Sequence, residues 1–434
     1  MKEKRKLIIK SIKRKIFSIK FMKDNRKSDK DFIRKRKMPF PSIILFMINI
    51  VKQTLQKELT HFITLISSGK IKNITKSAFS QSRLKLKPEA FIELNDVIVD
   101  DIYNKYEVKK WNNFLLIGVD GSYLSLPDSK ELKEKYYHKA NHHENFTPKA
   151  KSSTCYDLLN DIIITSQIET PDYHEISLFS RHMKFLKEKI KHKCLFILDR
   201  GYAAMWVMLY ILKEKKDFII RLPNDLNEEI QNFTNSDEKT RTIEIVNCSF
   251  PSKKRLEELN IDFEKFKVRL VKVILDNEEI EILATSLLDE VKYPSFIFKE
   301  LYFKRWGIET NYDHLKNNIQ IENFTGKSEL TIRQDFFANM FIMNLQSIII
   351  SDAQEELEEN NKKTKREYKI NRNLSLGYMK DKIIKIFLKD SNIEYEELRQ
   401  LFKINPCPIR KGRKFPRIVY PRARKYPMTK KKAV

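Results

Sequence analysis

The chain has 434 residues, 41% of them hydrophobic and 33% charged, which is enough for about two to four domains with apolar cores. This composition excludes a disordered tail. Lys and Arg number 84 against 58 Asp and Glu, giving a net charge of +26 and a pI near 9.6. Such an excess of cations is typical of proteins that bind phosphate backbones, so nucleic acid is the first partner to consider. A genome biased toward Lys, Asn and Ile is the alternative explanation.

The cysteines indicate a protein in a reducing environment, and the apolar segments indicate a protein that does not span a membrane. Cysteines at 155, 194, 248 and 407 form no CxxC pair, which favours neither a zinc site nor a disulfide framework. The apolar run FPSIILFMINIV from Phe40 is shorter than the roughly 18 residues of a spanning helix, and KQTLQKEL continues it as an amphipathic helix. We therefore expect a soluble, cytoplasmic protein without a membrane partner.

The N-terminal third combines a basic arm, up to about residue 37, with helical patterns between residues 41 and 94. After a Ser-Ser-Gly break at 67–69, ITKSAFSQSR predicts a short helix that begins at Thr75 and ends before Pro88. Its outward polar side chains resemble those that a helix-turn-helix presents to the major groove. An ordinary surface helix is the alternative. The candidate DNA contacts on this helix are Lys76, Gln81 and Arg83.

Strands alternating with helices begin near residue 113 and predict an α/β sheet. FLLIGVDGSYLSL reads as an apolar strand that ends in Asp120, followed by a glycine turn and a second strand. DIIITSQIET predicts a third strand, and KCLFILDRGY predicts another that ends in Asp199. The carboxyl ends of parallel strands are where such sheets place their sites, so these two carboxylates are candidates for chemistry.

The remaining pattern divides the chain into five regions. Period-two segments from DFIIRL to EIEILATSLL predict a β-rich insertion, helix resumes near Ser295, and the C-terminal region is basic. The predicted regions are a basic arm and helical DNA-binding region (1–105), an α/β core in two parts (106–216 and 291–355), the β-rich insertion (217–290) and a basic C-terminal region (356–434).

One helical segment, LYFKRWGIETNYDHLK, carries an unusual polar face. At about 100° per residue, Tyr302, Arg305, Glu309 and Lys316 fall within roughly 60° of arc. A phenol, a guanidinium, a carboxylate and an ammonium are poor core material, but they suit the binding of phosphate. Trp306 is interpreted as a core residue in preference to a stacking surface for an extruded base.

Asp120, Asp199 and Glu309 together could bind two divalent cations about 4 Å apart, the arrangement that serves phosphoryl transfer. Hard oxygen ligands favour Mg²⁺ or Mn²⁺ over zinc. Two alternatives remain open on spacing alone. Glu309 and Arg305 could form a plain surface ion pair, and Asp313 could supply the third carboxylate instead.

These motifs carry a family resemblance. GVDGSYLSLP, LFILDRGY and the Y-x2-R-x3-E-x6-K pattern together resemble the DDE transposases of bacterial insertion sequences, in the family with the YREK signature (the insertion-sequence-four type). The resemblance spans Trp111 to about Ile350. It implies a ribonuclease H-like core with a β-rich insertion, flanked by an α-helical N-terminal DNA-binding region and a basic C-terminal tail.

The resemblance also implies roles for single residues. Asp120, Asp199 and Glu309 would be the catalytic triad that binds two Mg²⁺ or Mn²⁺ ions, while Tyr302, Arg305 and Lys316 would contact transposon-end phosphates. The implied reaction is cleavage at transposon ends and transfer of the freed 3′-hydroxyl to target DNA, through a hairpin intermediate that gives Trp306 a possible stacking role. Joining two ends implies a homodimer on double-stranded DNA. The alternatives are a nuclease or resolvase that cuts without joining, a former transposase that only binds DNA, and a basic structural protein.

Overall fold

The computed structural model describes residues 4–34, 37–67, 74–136, 147–361, 366–388 and 392–409. Most of the predicted Ser-Ser-Gly break and the basic tail beyond residue 409 lie outside these ranges.

Helices flank the strands and also lie before and after them along the described part of the chain. In chain order they are α1 (Lys4–Ile16), α2 (Ile19–Asn25), α3 (Phe40–Ile48), α4 (Leu55–Ile66), α5 (Lys76–Arg83), α6 (Glu89–Lys105), α7 (Lys130–Lys135), α8 (Glu175–Lys189), α9 (Met205–Lys213), α10 (Glu228–Asn235), α11 (Phe250–Glu258), α12 (Ile297–Phe303), α13 (Trp306–Asp313), α14 (Glu329–Asn361), α15 (Arg372–Met379), α16 (Lys382–Leu388) and α17 (Asn392–Ile404).

The strands form one large sheet and one small one. They are β1 (Leu115–Ser125), β2 (Lys149–Asp157), β3 (Ile162–Glu169), β4 (Cys194–Leu198), β5 (Asp217–Leu222), β6 (Thr240–Ile245), β7 (Phe266–Ile274), β8 (Ile280–Thr285), β9 (Tyr368–Lys369) and β10 (Cys407–Pro408). The large sheet has the order β3-β2-β1-β4-β5-β8-β7-β6, and β9 pairs with β10. The prediction of an α/β fold around a sheet is confirmed.

Strand direction changes across the large sheet. β4 pairs in parallel with both β1 and β5, whereas the remaining neighbours are antiparallel. β8 lies antiparallel to β5, so β6, β7 and β8 of the β-rich segment continue the same sheet. That segment also contains α10 and α11, which its period-two pattern did not predict. Asn227 caps α10 by accepting a hydrogen bond from the backbone N–H of Ile230.

The two faces of β1 pack against different helices. Leu115, Ile117 and Val119 share an apolar cluster with side chains of α8 and α9. Leu116, on the other face, shares a cluster with α12 residues such as Phe298. Because successive strand residues point to opposite faces, Asp120 points to the side of α12 and α13, and Gly121 to the side of α8.

The longest helix is a core element. α14 contains an 18-residue stretch apolar enough for a membrane span by composition, but 89% of that stretch is buried inside the protein. It packs against α6, α3 and β3. Its apolar content therefore serves the interior, as the sequence predicted for a buried helix.

Several local expectations differ from the structure. The helical pattern between residues 43 and 66 is divided into α3 and α4, since Ile50 has a left-handed φ of 54° that a helix cannot accommodate. α5 ends at Arg83, before Pro88 as expected, and Pro88 itself precedes the first turn of α6, where its missing N–H costs no hydrogen bond. Asp120 does not end a strand. It lies within β1, and Gly121 continues that strand opposite Ser153 instead of forming a turn.

The segment with the polar face is helical but not one regular helix. Between α12 and α13 the backbone hydrogen bonds join residues three positions apart, which is the 3₁₀ pattern. The N–H of Arg305 donates to the carbonyl of Tyr302, and the N–H of Ile308 donates to that of Arg305. After α13 the chain widens into a π-helical turn at His314–Asn318. Such turns are frequent at functional sites.

Candidate active site

Three charged residues lie level with one another across the central strands. Gly118 pairs with Ile197 on the parallel strand β4, so two residues further along, Asp120 lies level with Asp199. In the same way Leu198 pairs with Ile220 on β5, which brings Arg221 beside Asp199. Neighbouring strands are about 4.8 Å apart, so the two aspartates occupy adjacent positions on one face of the sheet.

This row borders a cavity of about 510 Å³. The sheet supplies one wall, and the α12–α13 segment supplies the other. The lining residues are Asp120, Gly121, Ser122, Asp199, Arg200, Arg221, Tyr302, Arg305, Glu309 and Tyr312. Five of the six residues predicted for the catalytic triad and its phosphate contacts therefore line the cavity, and Lys316 lies next to it.

Asp120 is the most strongly perturbed carboxyl group of the cavity. Burial raises its pKa to about 7, and the charges of Glu175 and Asp199 act in the same direction. The backbone N–H of Gly121 donates to Asp120 Oδ1 at 2.8 Å and Arg305 lies nearby, but these two influences are smaller than the effect of burial. Burial is therefore the main reason why ionisation of this carboxyl group is disfavoured.

Asp199 follows β4 directly, as the sequence predicted. Its Oδ1 accepts a hydrogen bond of 2.9 Å from the N–H of Gly201, which orients the carboxylate at the start of a 3₁₀ turn, Arg200–Tyr202. The fully buried apolar strand before it fixes the position of the backbone. Asp199 is thus an oriented carboxylate at the carboxyl end of a parallel strand.

Glu309 approaches from α13 and is held by Arg305. Arg305 Nη2 donates to Glu309 Oε1 at 2.8 Å, which realises the i, i+4 pair considered from spacing. The guanidinium also lies between two aromatic rings, 5.6 Å from the centroid of Tyr302 and 5.5 Å from that of Trp306. Trp306 is 44% exposed, so its interpretation as a core residue is wrong. Its position suits the stacking alternative.

Lys316 and Tyr312 tie the helical wall to β1. Lys316 Nζ donates to Ser122 Oγ at 2.6 Å, and Tyr312 Oη donates to the carbonyl of Asp120 at 3.0 Å. Asp313, the alternative third carboxylate, is exposed and accepts a hydrogen bond from Asn317. It is not among the residues that line the cavity, whereas Glu309 is.

The donor set of the cavity fits hard divalent cations. Carboxylates are the ligands that Mg²⁺ and Mn²⁺ prefer, and Mg²⁺ binds through one or two carboxylates with water and substrate phosphates completing its shell. Across the described ranges, no group of three or more His, Cys, Asp or Glu side chains is close enough to hold one ion alone. Asp120 and Asp199 on the sheet and Glu309 on α13 are the carboxylates of the cavity that could hold such ions.

The N-terminal helix predicted to contact DNA forms as α5, capped by Thr75, whose side chain accepts from the N–H of Ala78. Lys76 and Gln81 are exposed. Arg83 is only 2% exposed, so its predicted place on the outward face is wrong. Its guanidinium is enclosed by α14 and the preceding loop, where it meets Asp335 at 2.7 Å. A buried carboxylate offsets the desolvation that would otherwise keep this arginine at the surface.

Sequence reasoning missed three charged residues near the site. Arg221 lies beside Asp199 near the end of β5. It could have been found by the same rule that selected Asp199, namely that sites lie at the carboxyl ends of parallel strands. Arg200 follows Asp199 directly, in a motif already noted. Glu175 begins α8 and lies against Gly121. No spacing signal links it to the site, because its proximity arises only from the folding of α8 onto the sheet.

Comparisons with known proteins identify the family of this chain. The family described as transposase DDE domain matches residues 114–345, more than half of the chain. Transposase InsG for insertion sequence element IS4 of Escherichia coli (strain K12) is 22% identical over 419 residues, which is 92% of this chain and 89% of that protein. A cryo-EM structure of a piggyBac transposase synaptic complex with hairpin DNA aligns over 90% of this chain and 84% of its own, with 10% identity and a TM-score of 0.48. The chain belongs to the DDE transposases and is of the IS4 type.

Proposed function

We propose that this transposase cuts DNA at the ends of its element and joins the freed 3′-hydroxyl to target DNA, with Asp120, Asp199 and Glu309 as the catalytic residues. The observation that carries the proposal is the level placement of the two aspartates on neighbouring parallel strands, facing the cavity that Glu309 lines from α13. The resemblance assigns the same three residues.

Two Mg²⁺ or Mn²⁺ ions, when bound, would lower the pKa of the attacking water and offset charge on the leaving oxygen. Asp120 and Asp199 would hold them from the sheet, and Glu309 from the helix. In the protein without DNA, Arg305 forms an ion pair with Glu309. A DNA phosphate offers Arg305 an equivalent bidentate partner, so DNA binding would release Glu309 toward the cations.

The grip on DNA follows from the same wall. Arg305 and Lys316 would bind backbone phosphates. Tyr302 would donate a hydrogen bond to a phosphate oxygen or pack its ring against the Arg305 guanidinium. Trp306 is exposed beside them and would stack on an extruded base. Lys76 and Gln81 of α5 stay candidate contacts to double-stranded DNA. A homodimer on DNA and a cytoplasmic location complete the proposal.

The core is assigned to the ribonuclease H-like fold that the resemblance implies. Its support is the strand order β3-β2-β1-β4-β5, in which β1, β4 and β5 run parallel and the site lies at the carboxyl ends of β4 and β5, beside Asp120 within β1. The strands β6 to β8 then form an extension of this core.

A cleavage and joining assay tests the proposal. The substrate is a labelled duplex that carries an inverted repeat from the flanks of the gene, incubated with Mg²⁺ and a target plasmid. We expect end cleavage and joined products from the wild type. Asp120→Asn and Asp199→Asn should lose both while retaining end binding. Cleavage by either variant would contradict the assignment.

The joining step separates this function from that of a nuclease or resolvase. If the wild type cuts the end and a pre-cut 3′-hydroxyl end still yields no joined product, the protein cuts without transferring strands. If the wild type binds ends but never cuts in Mg²⁺ or Mn²⁺, it is a DNA-binding protein only.

A further inference from the structure

A fourth carboxylate lies behind the active-site strand. Glu175 stands in the first turn of α8, on the face of β1 opposite to the cavity, and is not among the cavity residues. It touches the backbone beside Asp120. A Cβ added at Gly121 would lie 2.5 Å from Glu175 Cδ and 2.7 Å from its Oε2. Only glycine at residue 121 allows this approach.

The position of Glu175 is fixed by a buried partner. Tyr202 Oη donates to Glu175 Oε1 at 2.9 Å, and Tyr202 is only 1% exposed. Tyr202 itself ends the 3₁₀ turn that begins after Asp199. One tyrosine therefore links Glu175 to the second catalytic aspartate, while Gly121 links it to the first.

The electrostatic consequence is crowding of like charges. Gly121 directly follows Asp120, so the carboxylate of Glu175 lies on one side of β1 and that of Asp120 on the other. Glu175 thus adds a third negative group behind the two aspartates that face the cavity, and a divalent cation in the cavity would relieve their repulsion.

We propose that Glu175 is a positioning residue that strengthens cation capture by Asp120 and Asp199 from behind β1, without itself touching the cation. This inference rests on the proposed cation site. Outer-shell groups that hold metal ligands in place are worth about 10- to 100-fold in metal affinity, and Glu175 contacts the backbone directly beside Asp120. Nothing in the resemblance or in the cavity lining assigns Glu175 this role.

A simpler explanation makes an opposite prediction. A glutamate in the first turn of a helix is stabilised by the helix dipole. If that were its whole role, Glu175→Gln would lower the stability of the metal-free protein and leave cation binding unchanged. If Glu175 instead crowds Asp120, the same variant would raise metal-free stability and weaken cation binding.

The test measures Mn²⁺ binding to the full chain without DNA, by titration calorimetry, together with the metal-free melting temperature at pH 8. The matched control is Glu188→Gln, the same change on an exposed residue of α8, about 20 Å further along the helix. We expect Glu175→Gln to bind Mn²⁺ roughly tenfold more weakly and to melt at a higher temperature. Glu188→Gln should match the wild type.

Mn²⁺ affinity of Glu175→Gln within twofold of the wild type, or a lower melting temperature, would overturn the proposal. Should this variant fail to fold, Glu175→Ala has the same expected outcome, because it also removes the charge. Asp120→Asn distinguishes the two levels of inference. If Asp120→Asn loses Mn²⁺ binding while Glu175→Gln keeps it, only the role of Glu175 falls. If Asp120→Asn binds Mn²⁺ like the wild type, the cation site itself falls.

Discussion

Two arginines of this transposase, Arg83 and Arg305, both lie in segments whose sequence predicts a polar helix face. The fold places them in different surroundings. Arg83 is enclosed between α5 and α14, and Arg305 lies in the wall of the cavity. The three nitrogens of Arg83 all donate, and their partners are Gln334, Thr325, Asp335 and the carbonyl of Thr331. Arg305 has an ion pair with Glu309, but its buried Nε has no hydrogen-bond partner among the described residues.

The difference separates a structural cluster from a functional one. A closed, fully paired cluster fixes two elements relative to each other, since breaking any part leaves a buried polar group unpaired. A half-paired cluster beside an open cavity keeps binding capacity for a ligand. The cavity is lined by three carboxylates and three arginines, groups that can bind cations and phosphates, whereas Arg83 and Asp335 neutralise each other in a closed site. We therefore expect substitutions at the two arginines to affect different properties.

The largest expected effect on stability is at Arg83. Arg83→Met leaves Asp335 buried without its cation and should destabilise the protein by about 3–5 kcal/mol. Urea denaturation measures this. Lys76→Met, on the exposed side of the same helix, should change stability by less than about 0.5 kcal/mol. If Arg83→Met instead left stability unchanged and lowered DNA affinity, Arg83 would be a DNA contact and its structural role would be contradicted.

Arg305 should show the reverse pattern. Arg305→Gln would remove the proposed phosphate contact, and a hydrogen bond to a charged group contributes about 1.5–3 kcal/mol, so end affinity should fall by roughly 10- to 100-fold. The slope of log affinity against log salt should become shallower by about 1. Stability should change little, because Glu309 keeps access to solvent. A stability loss as large as that of Arg83→Met, with an unchanged salt slope, would remove the distinction.

The contact between Glu175 and Gly121 predicts that alanine substitutions at two glycines have different effects on stability. Gly121→Ala places a methyl group against Glu175 and should cost about 1–3 kcal/mol. Gly377→Ala meets nothing within 4 Å and lies in α15, so it should be neutral or stabilising by up to about 1 kcal/mol. Equal effects in thermal unfolding would mean that Glu175 does not press on the strand.

A smaller effect should appear in the pH dependence. The folded-state pKa of Asp120 is about 7, above the 3.8 of an unperturbed aspartate, so its ionisation costs the metal-free fold stability as pH rises from about 4 to 7. Asp120→Asn removes this cost. Its melting temperature should exceed that of the wild type by a few degrees at pH 8 and by less at pH 5. A difference independent of pH would show that Asp120 is not crowded.

Local pattern was sufficient for parts of this site. The apolar run of β4 followed by Asp199 predicted both the strand and the position of its carboxylate. The signature spacing brought Tyr302, Arg305 and Glu309 to one wall, even though the backbone there mixes three helical types. Period-two patterns predicted strands β5 to β8.

Long-range contacts determined what pattern could not supply. Arg83 looked like a surface residue because Asp335, its partner, lies 252 positions away. Gly121 looked like a turn because Glu175, which needs the space, belongs to a later helix. The continuation of the sheet from β5 into β8 likewise depends on pairing between distant segments. In each case the deciding partner is remote in sequence.

The most direct test of the central claim compares two acidic residues of one helix. In single-turnover cleavage of an end duplex in Mg²⁺, Glu309→Gln should abolish cutting while end binding persists, and Asp313→Asn, exposed four residues away and outside the cavity, should cut at the wild-type rate. Cutting by Glu309→Gln, or its loss in Asp313→Asn, would contradict the placement of the third carboxylate at Glu309.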